Sequence, residues 1–216
     1  MAEVKGSGRG YRSPLRAQQA AATRLAVISA ATELFVAKGY GATTVDDVAR
    51  RAGVSKPTVF TAVGNKAALL SAVRDVAMAG DDLPVAVSDR PPAQQVVEEP
   101  DPARAVELLA GVIAGINLRY AAINEAIRGA AAAGEPAARE LWETSEAQRL
   151  AGARHWTRTL AAKAPLRTDE ATTVDLVWLL MAPDNCHRLV HSRGWTTERY
   201  REWIADGLTA LLATAS

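Results

Sequence analysis

Residues 53–70, GVSKPTVFTAVGNKAALL, hold two helix starts close together: Ser55 caps one short helix and Asn65 caps the next. Helices this short do not persist in water on their own, so neighbours must supply their stability. Pro57 is tolerated in a first turn, where backbone N–H groups have no intrahelical partner to lose. Upstream, Thr44 and Asp47 have the spacing of a capping box with Asp in place of Glu, opening a helix to about Ala52 that buries Val45, Val48 and Ala49. Gly53-Val54-Ser55 forms the turn between the two. A helix from about Ala20 to Lys38, with Leu25, Ile28, Ala31 and Phe35 on its buried side and Gly39 at its end, covers the pair. Val59 and Phe60 have the spacing to join Val48 and Val54 in the small core. A further helix, Lys66 to about Ala79, turns Leu69, Leu70 and Val73 inward. Two short helices joined by a glycine turn and packed beneath a third make a helix-turn-helix.

In such a unit the second helix of the pair enters the major groove and offers its N-terminal end to base edges. The candidates are Lys56, Pro57, Thr58, Thr61 and Ala62. Helix N-termini bind phosphate through free N–H groups and the positive end of the dipole. Thr44 and Lys66 stand at two such termini. The net charge of +1 conceals an asymmetry: residues 1–80 carry 11 Lys/Arg against 5 Asp/Glu, and residues 81–216 carry 14 against 19. A basic front suits a polyanionic partner. Residues 1–19 read as a flexible basic arm with Lys5, Arg9, Arg12 and Arg16, the last two being candidate DNA contacts. Residues 20–80 then form the DNA-binding domain.

Residues 81–102 hold five of the ten prolines and read as a connection, with a turn of helix near Gln94–Val97. Residues 103–216 read as helical throughout. Val106, Leu109, Ile113, Ile116, Tyr120, Ile123 and Ile127 recur three and four apart as one apolar seam. Breaks fall at Gly134-Glu135-Pro136, before Pro165, near Pro183 and at Gly194. Asn117 and Asn124, seven apart beside the seam, either orient a ligand on apolar walls or bond between helices. Trp142, Arg149 and Trp156 repeat at seven, so Arg149 either holds an anionic or planar ligand or makes a structural cation–π stack. Apolar pocket walls are expected from Ile113, Ile116, Tyr120, Trp142, Trp156 and Trp178. Cys186, His187 and His191 are read as packing, with no metal and no cofactor expected. No nucleophile elbow, phosphate-cradling glycine loop or His-Glu-x-x-His run occurs, so no enzyme is expected. A single cysteine, an N-terminus without an apolar signal core and no apparent membrane-length apolar run suit the cytoplasm.

The run RLAVISAATELFVAKGYGATTVDDVARRAGVSKPTVFTAVGNKAALL, residues 24–70, resembles the tetracycline-repressor (TetR) family. The resemblance rests on Ala31, Phe35, Gly39-Tyr40, Thr43-Thr44, Val48-Ala49, Ala52-Gly53-Val54-Ser55, Thr58-Val59-Phe60 and Lys66 with Leu69-Leu70. It implies an all-α homodimer with an N-terminal helix-turn-helix domain and a C-terminal helical bundle. That bundle, residues 103–216, would bind a small molecule and dimerise through its last two helices. The apolar stripe Tyr200, Trp203, Ile204, Gly207, Leu208 and Leu211 is then the expected dimer interface. The implied function is a repressor released from a palindromic double-stranded DNA operator by an inducer. The family's aromatics near Ala62 and Val63 are replaced here by small residues. That departure keeps open a second possibility, a small-molecule-binding protein of the same fold with weak DNA affinity.

Overall fold

The computed structural model describes the backbone of residues 12–213 and the side chains of 15–213. Within that span the chain is helical, and an isolated bridge between Leu166 and Leu212 is the one extended pairing among the described residues. Two units divide between Val73 and Arg74, inside the fourth helix.

The N-terminal unit holds α1 (Arg12–Lys38), α2 (Val45–Ala52), α3 (Lys56–Ala62) and the first turns of α4 (Lys66–Ala79). Helix α1 begins at Arg12, so residues 12–19 are helical rather than part of an arm; Lys5 and Arg9 lie outside the described residues, as does the side chain of Arg12. Pro14 falls in the first turn, and the Leu-Arg-Ala-Gln-Gln-Ala run after it favours helix. The buried side of α1 is Val27, Ile28, Ala30, Ala31 and Phe35, whereas Leu25 is exposed. Each element has its own stop and start. The buried Thr43 hydroxyl donates to the Gly39 carbonyl at 2.8 Å and closes the α1–α2 turn. Thr44 and Asp47 form the full capping box. Gly53, at φ 69°, ends α2 in the left-handed conformation that a Cβ would strain.

The C-terminal unit is built around α6 (Pro102–Ala132), which packs against α5 (Pro91–Glu98), α7 (Pro136–Ala161), α9 (Pro183–Cys186) and α10 (Thr197–Thr209). Helix α8 (Glu170–Leu180) packs on α7 and α10. The chain breaks after α8, restarts at Pro183 and widens into a π-helical turn, His187–Ser192. Residues 81–102 are more than a connection: Ala93 and Val96 of α5 are buried in the core of this unit. The Pro91-Pro92 pair starts that helix, because both prolines occupy its first turn.

Most of the expected seam on α6 is buried, with Ile116 half-buried. By length and composition Leu15–Lys38 and Pro102–Ala132 are apolar enough to cross a membrane, contrary to the sequence expectation. Their alanine-rich make-up raises hydropathy, and α6 spends that surface on the protein core.

Tyr200, Ile204 and Leu208 are fully buried in this core, and Leu211 is 8% exposed, so these four residues of the stripe pack within their own chain, while Trp203 and Gly207 are half-buried. Gly207 serves the same packing: a Cβ there would lie 2.7 Å from Leu180 Cδ2. One polar contact fixes the register. The Asn117 amide donates to the Tyr200 hydroxyl at 2.9 Å and to the Met181 carbonyl at 3.3 Å. Asn117→Leu should destabilise the protein by about 1–3 kcal/mol, since it removes the donor to the buried Tyr200 hydroxyl and to the part-buried Met181 carbonyl. Adding Tyr200→Phe should recover part of that loss in denaturant unfolding. Strictly additive losses would show that the bond is not what couples α6 to α10.

Candidate nucleic-acid interface and ligand compartment

Helix α3 presents a small surface. Ser55 caps it by accepting from the Thr58 backbone N–H, and the Ser55 and Thr58 hydroxyls lie 2.7 Å apart. The Thr61 hydroxyl donates to the Pro57 carbonyl at 3.0 Å. Lys56, Pro57 and Thr61 are exposed, while Thr58 and Ala62 are half-buried. Phe60, expected in the core, is instead 46% exposed. Val59 takes the inward position, and one residue further the side chain has rotated about 100° around the helix. The signal was present: Phe60 and Val59 could not both occupy the narrow buried side of so short a helix. Arg24 holds the far end of α3 by donating to the Ala62 carbonyl at 3.0 Å.

The flanking groups are less free than their types suggest. Lys56 Nζ lies 2.8 Å from Asp46 Oδ2, with both side chains at least half exposed. Asp46 and Asp47 occupy the first turn of α2. Carboxylates there take up the dipole that a phosphate would otherwise use. The Thr44 hydroxyl and backbone N–H both donate to Asp47, holding its carboxyl below the usual range. Thr44 is thus a structural cap first. Lys66 begins α4; its amine sits 4.3 Å from the centre of the Tyr40 ring and donates to the Gly41 carbonyl at 3.2 Å. That fixes a cation beside the approach to α2. Arg16 is exposed on α1.

In the C-terminal unit several of the expected ligand residues already have partners within the protein. Asn117 is committed to Tyr200, and Ile113, Trp156 and Asn124 are buried, Trp156 with its ring edge-on to His155. Trp142 is half-buried. Arg149 stacks on Trp178, at 4.2 Å from the ring centre, rather than between Trp142 and Trp156. It also donates to the Trp178 carbonyl and pairs with Glu146, which makes it a structural clamp on the end of α8. Sequence spacing along α7 could not show that the partner ring comes from another helix.

Tyr120 is different. Its hydroxyl is buried without a hydrogen-bond partner, as is Arg74 Nε; Ser145 and Arg74 come near the phenol without bonding geometry. Burial pushes the Tyr120 phenol up. Ile116 lines a separate cleft of about 460 Å³ between α5, α6 and the end of α4. At its edge Arg119 donates from Nε to the Ala77 carbonyl and from Nη2 to the Met78 carbonyl, each at 3.2 Å, holding the last turn of α4.

Cys186 is buried, which pushes its thiol up to about 11 and withholds the thiolate a metal needs. Among the described residues no group of three or more potential ligands gathers.

Residues 27–73 match the family model of bacterial regulatory proteins of the TetR family. A Bacillus subtilis (strain 168) protein, the uncharacterized HTH-type transcriptional regulator YdeS, is 48% identical over 48 residues. That match covers 22% of this chain and 24% of YdeS, so the chain matches about a quarter of its curated relative. Solved structures resemble most of the chain in fold at low identity. A candidate fatty acid metabolism regulator of Clostridium perfringens is 16% identical with a TM-score of 0.62, covering 88% of this chain and 100% of its own. NalD, the secondary repressor of the MexAB-OprM multidrug efflux pump in Pseudomonas aeruginosa, is 21% identical with a TM-score of 0.59, covering 90% and 98%.

The Lys56–Asp46 pair makes a direct prediction. Asp46→Asn should free one cation, raise affinity for duplex DNA and steepen the log–log salt dependence by about one unit. Anisotropy titrations across salt concentrations check this; an unchanged slope would mean that Lys56 does not meet phosphate.

Proposed function

We propose, from the match of residues 27–73 to the TetR-family model, that the chain is a cytoplasmic, ligand-responsive repressor of that family that binds a palindromic operator as a homodimer. The observation that carries this is α3, whose exposed Lys56, Pro57, Phe60 and Thr61 stand clear of a core that claims Val59. Apolar surface dominates that set, which suits contact with thymine methyl groups more than a network of hydrogen bonds to base edges. Lys66 supports the register by placing a charge beside α2, with Arg16 and the arm residues adding further charge.

Pairing needs a face other than the buried stripe of α10. Helix α8 offers one: Leu176 and Leu179, three apart, are 38% and 52% exposed, and α8 lies against α10, whose Trp203 is half-buried. We assign dimerisation to that outer face. A two-fold pair of recognition helices one DNA turn apart accounts for palindromy. Ligand control needs a compartment in the C-terminal unit and a helix whose end it holds. Arg119, bonded to the last carbonyls of α4, links such a compartment to the helix that starts with Lys66. A ligand with differential affinity of about 1–3 kcal/mol between two positions of that helix would switch operator binding.

The second reading, a binding protein with weak DNA affinity, draws on the Lys56–Asp46 pair and the small Ala62-Val63 end of α3. Selection from random duplexes separates the two. A repressor enriches a palindrome carrying thymines that Phe60→Ser no longer prefers; a pure binder enriches nothing. Leu176→Asp with Leu179→Asp should yield a monomer in sedimentation and weaken operator binding by more than about tenfold. A double variant that stays dimeric would place the interface elsewhere.

A further inference from the structure

The cleft between α5 and α6 has a definite chemistry. Its floor is one face of α6, where Gly111 and Gly115 leave a trough flanked by Leu108, Val112 and Ile116. A Cβ added at Gly111 would meet nothing within 4 Å, so the trough is open rather than filled by a neighbour. From Leu108 to Ile116 it runs about 12 Å along the helix axis.

The charged lining is unbalanced. Arg90, Arg104, Arg119 and Arg201 line the cleft against one acid, Glu107. Asp81 neutralises Arg90 through two bonds of 2.7 and 2.8 Å, and Glu107 pairs with Arg104 at 2.7 Å. Arg119 spends Nε and Nη2 on the carbonyls of Ala77 and Met78, which cancel no charge. Its Nη1 lies 3.7 Å from where a Gly115 Cβ would stand, on the trough side. Burial first and the Arg90 cation second push the Arg119 guanidinium's pKa down, against a smaller upward pull from Asp81. Arg201, exposed, makes no ion pair among the described residues. Two cations without a direct ion pair among the described residues therefore stand beside an apolar trough.

We propose that this cleft binds a monoanionic amphiphile, its carboxylate held by Arg119 with Arg201 drawing it in, and its aliphatic body lying along Gly111 and Gly115. The trough length matches a chain of about eight carbons. The chain's own N-terminal residues make a poor occupant, because residues 1–11 carry Lys5 and Arg9 against Glu3. This site gives a chemical class to the ligand in the function proposed above and rests on that reading only for its regulatory consequence.

The test is calorimetry on the full chain with octanoate and with 1-octanol. Octanoate should bind at one site per chain, and octanol more weakly by about tenfold for want of the charge-assisted bonds. Gly111→Leu fills the trough while favouring helix, so it should abolish octanoate binding with folding intact, as thermal unfolding will show. Arg201→Gln should weaken octanoate about tenfold and leave octanol unchanged. Equal affinity for the alcohol, binding that survives Gly111→Leu, or no octanoate binding at millimolar concentration would overturn the site. Gly111-dependent binding that leaves the DNA complex intact supports the site and contradicts release by ligand. Absent binding with DNA selection intact overturns the site and leaves the regulator standing.

Discussion

The inward placement of Val59 is the contact on which the exposed surface of α3 depends. Helices α2 and α3 have 8 and 7 residues, below the length at which an isolated helix holds itself together. Their stability comes from burial of Val48, Ala49 and Val59 beneath the side of α1 that carries Val27, Ile28, Ala31 and Phe35. Once Val59 is inside, helical geometry turns Pro57 and Thr61, two residues to either side, to the opposite face, and Lys56 and Phe60 are exposed beside them. The caps at Thr44, Ser55 and Asn65 then set where each helix begins. The buried contact and the exposed surface are two faces of one seven-residue helix.

The C-terminal unit solves a different problem, that of covering a 31-residue apolar helix. Helices α5, α7, α9 and α10 surround α6, and the Asn117–Tyr200 bond selects one register among many that greasy surfaces would tolerate. Arginines do much of the remaining positioning. Arg149 clamps the end of α8, Arg119 the end of α4, and Arg90 ties residues 81–90 into a loop through Asp81, whose carboxyl is held down to about 2. Of these, Arg119 is the one that meets a cleft and carries no carboxylate partner.

Local signals were legible in the sequence, and partner choice was not. The capping box, the Gly53 turn, the break near Pro183 and most of the α6 seam follow from spacing alone. Periodicity misplaced Leu25 and Phe60 because it gives the direction of a buried face without its width. Pro91-Pro92 looked like punctuation, although a proline pair can equally open a helix. The apolar stripe on α10 was open to two meanings, since a core and a dimer interface use the same residues. Tyr200, Ile204 and Leu208 are buried within one chain, a placement their spacing could not show. Asn117 and Tyr200 lie 83 residues apart, and the Arg149–Trp178 stack joins two helices, so spacing within one helix could not reveal either pair.

The proposed pairing of two chains on one duplex is measured most directly by stoichiometry. Native mass spectrometry of the full chain with its selected duplex should show two chains per DNA, and one chain on a half-site duplex only at much higher protein concentration. A single chain saturating the full site with undiminished affinity would contradict it.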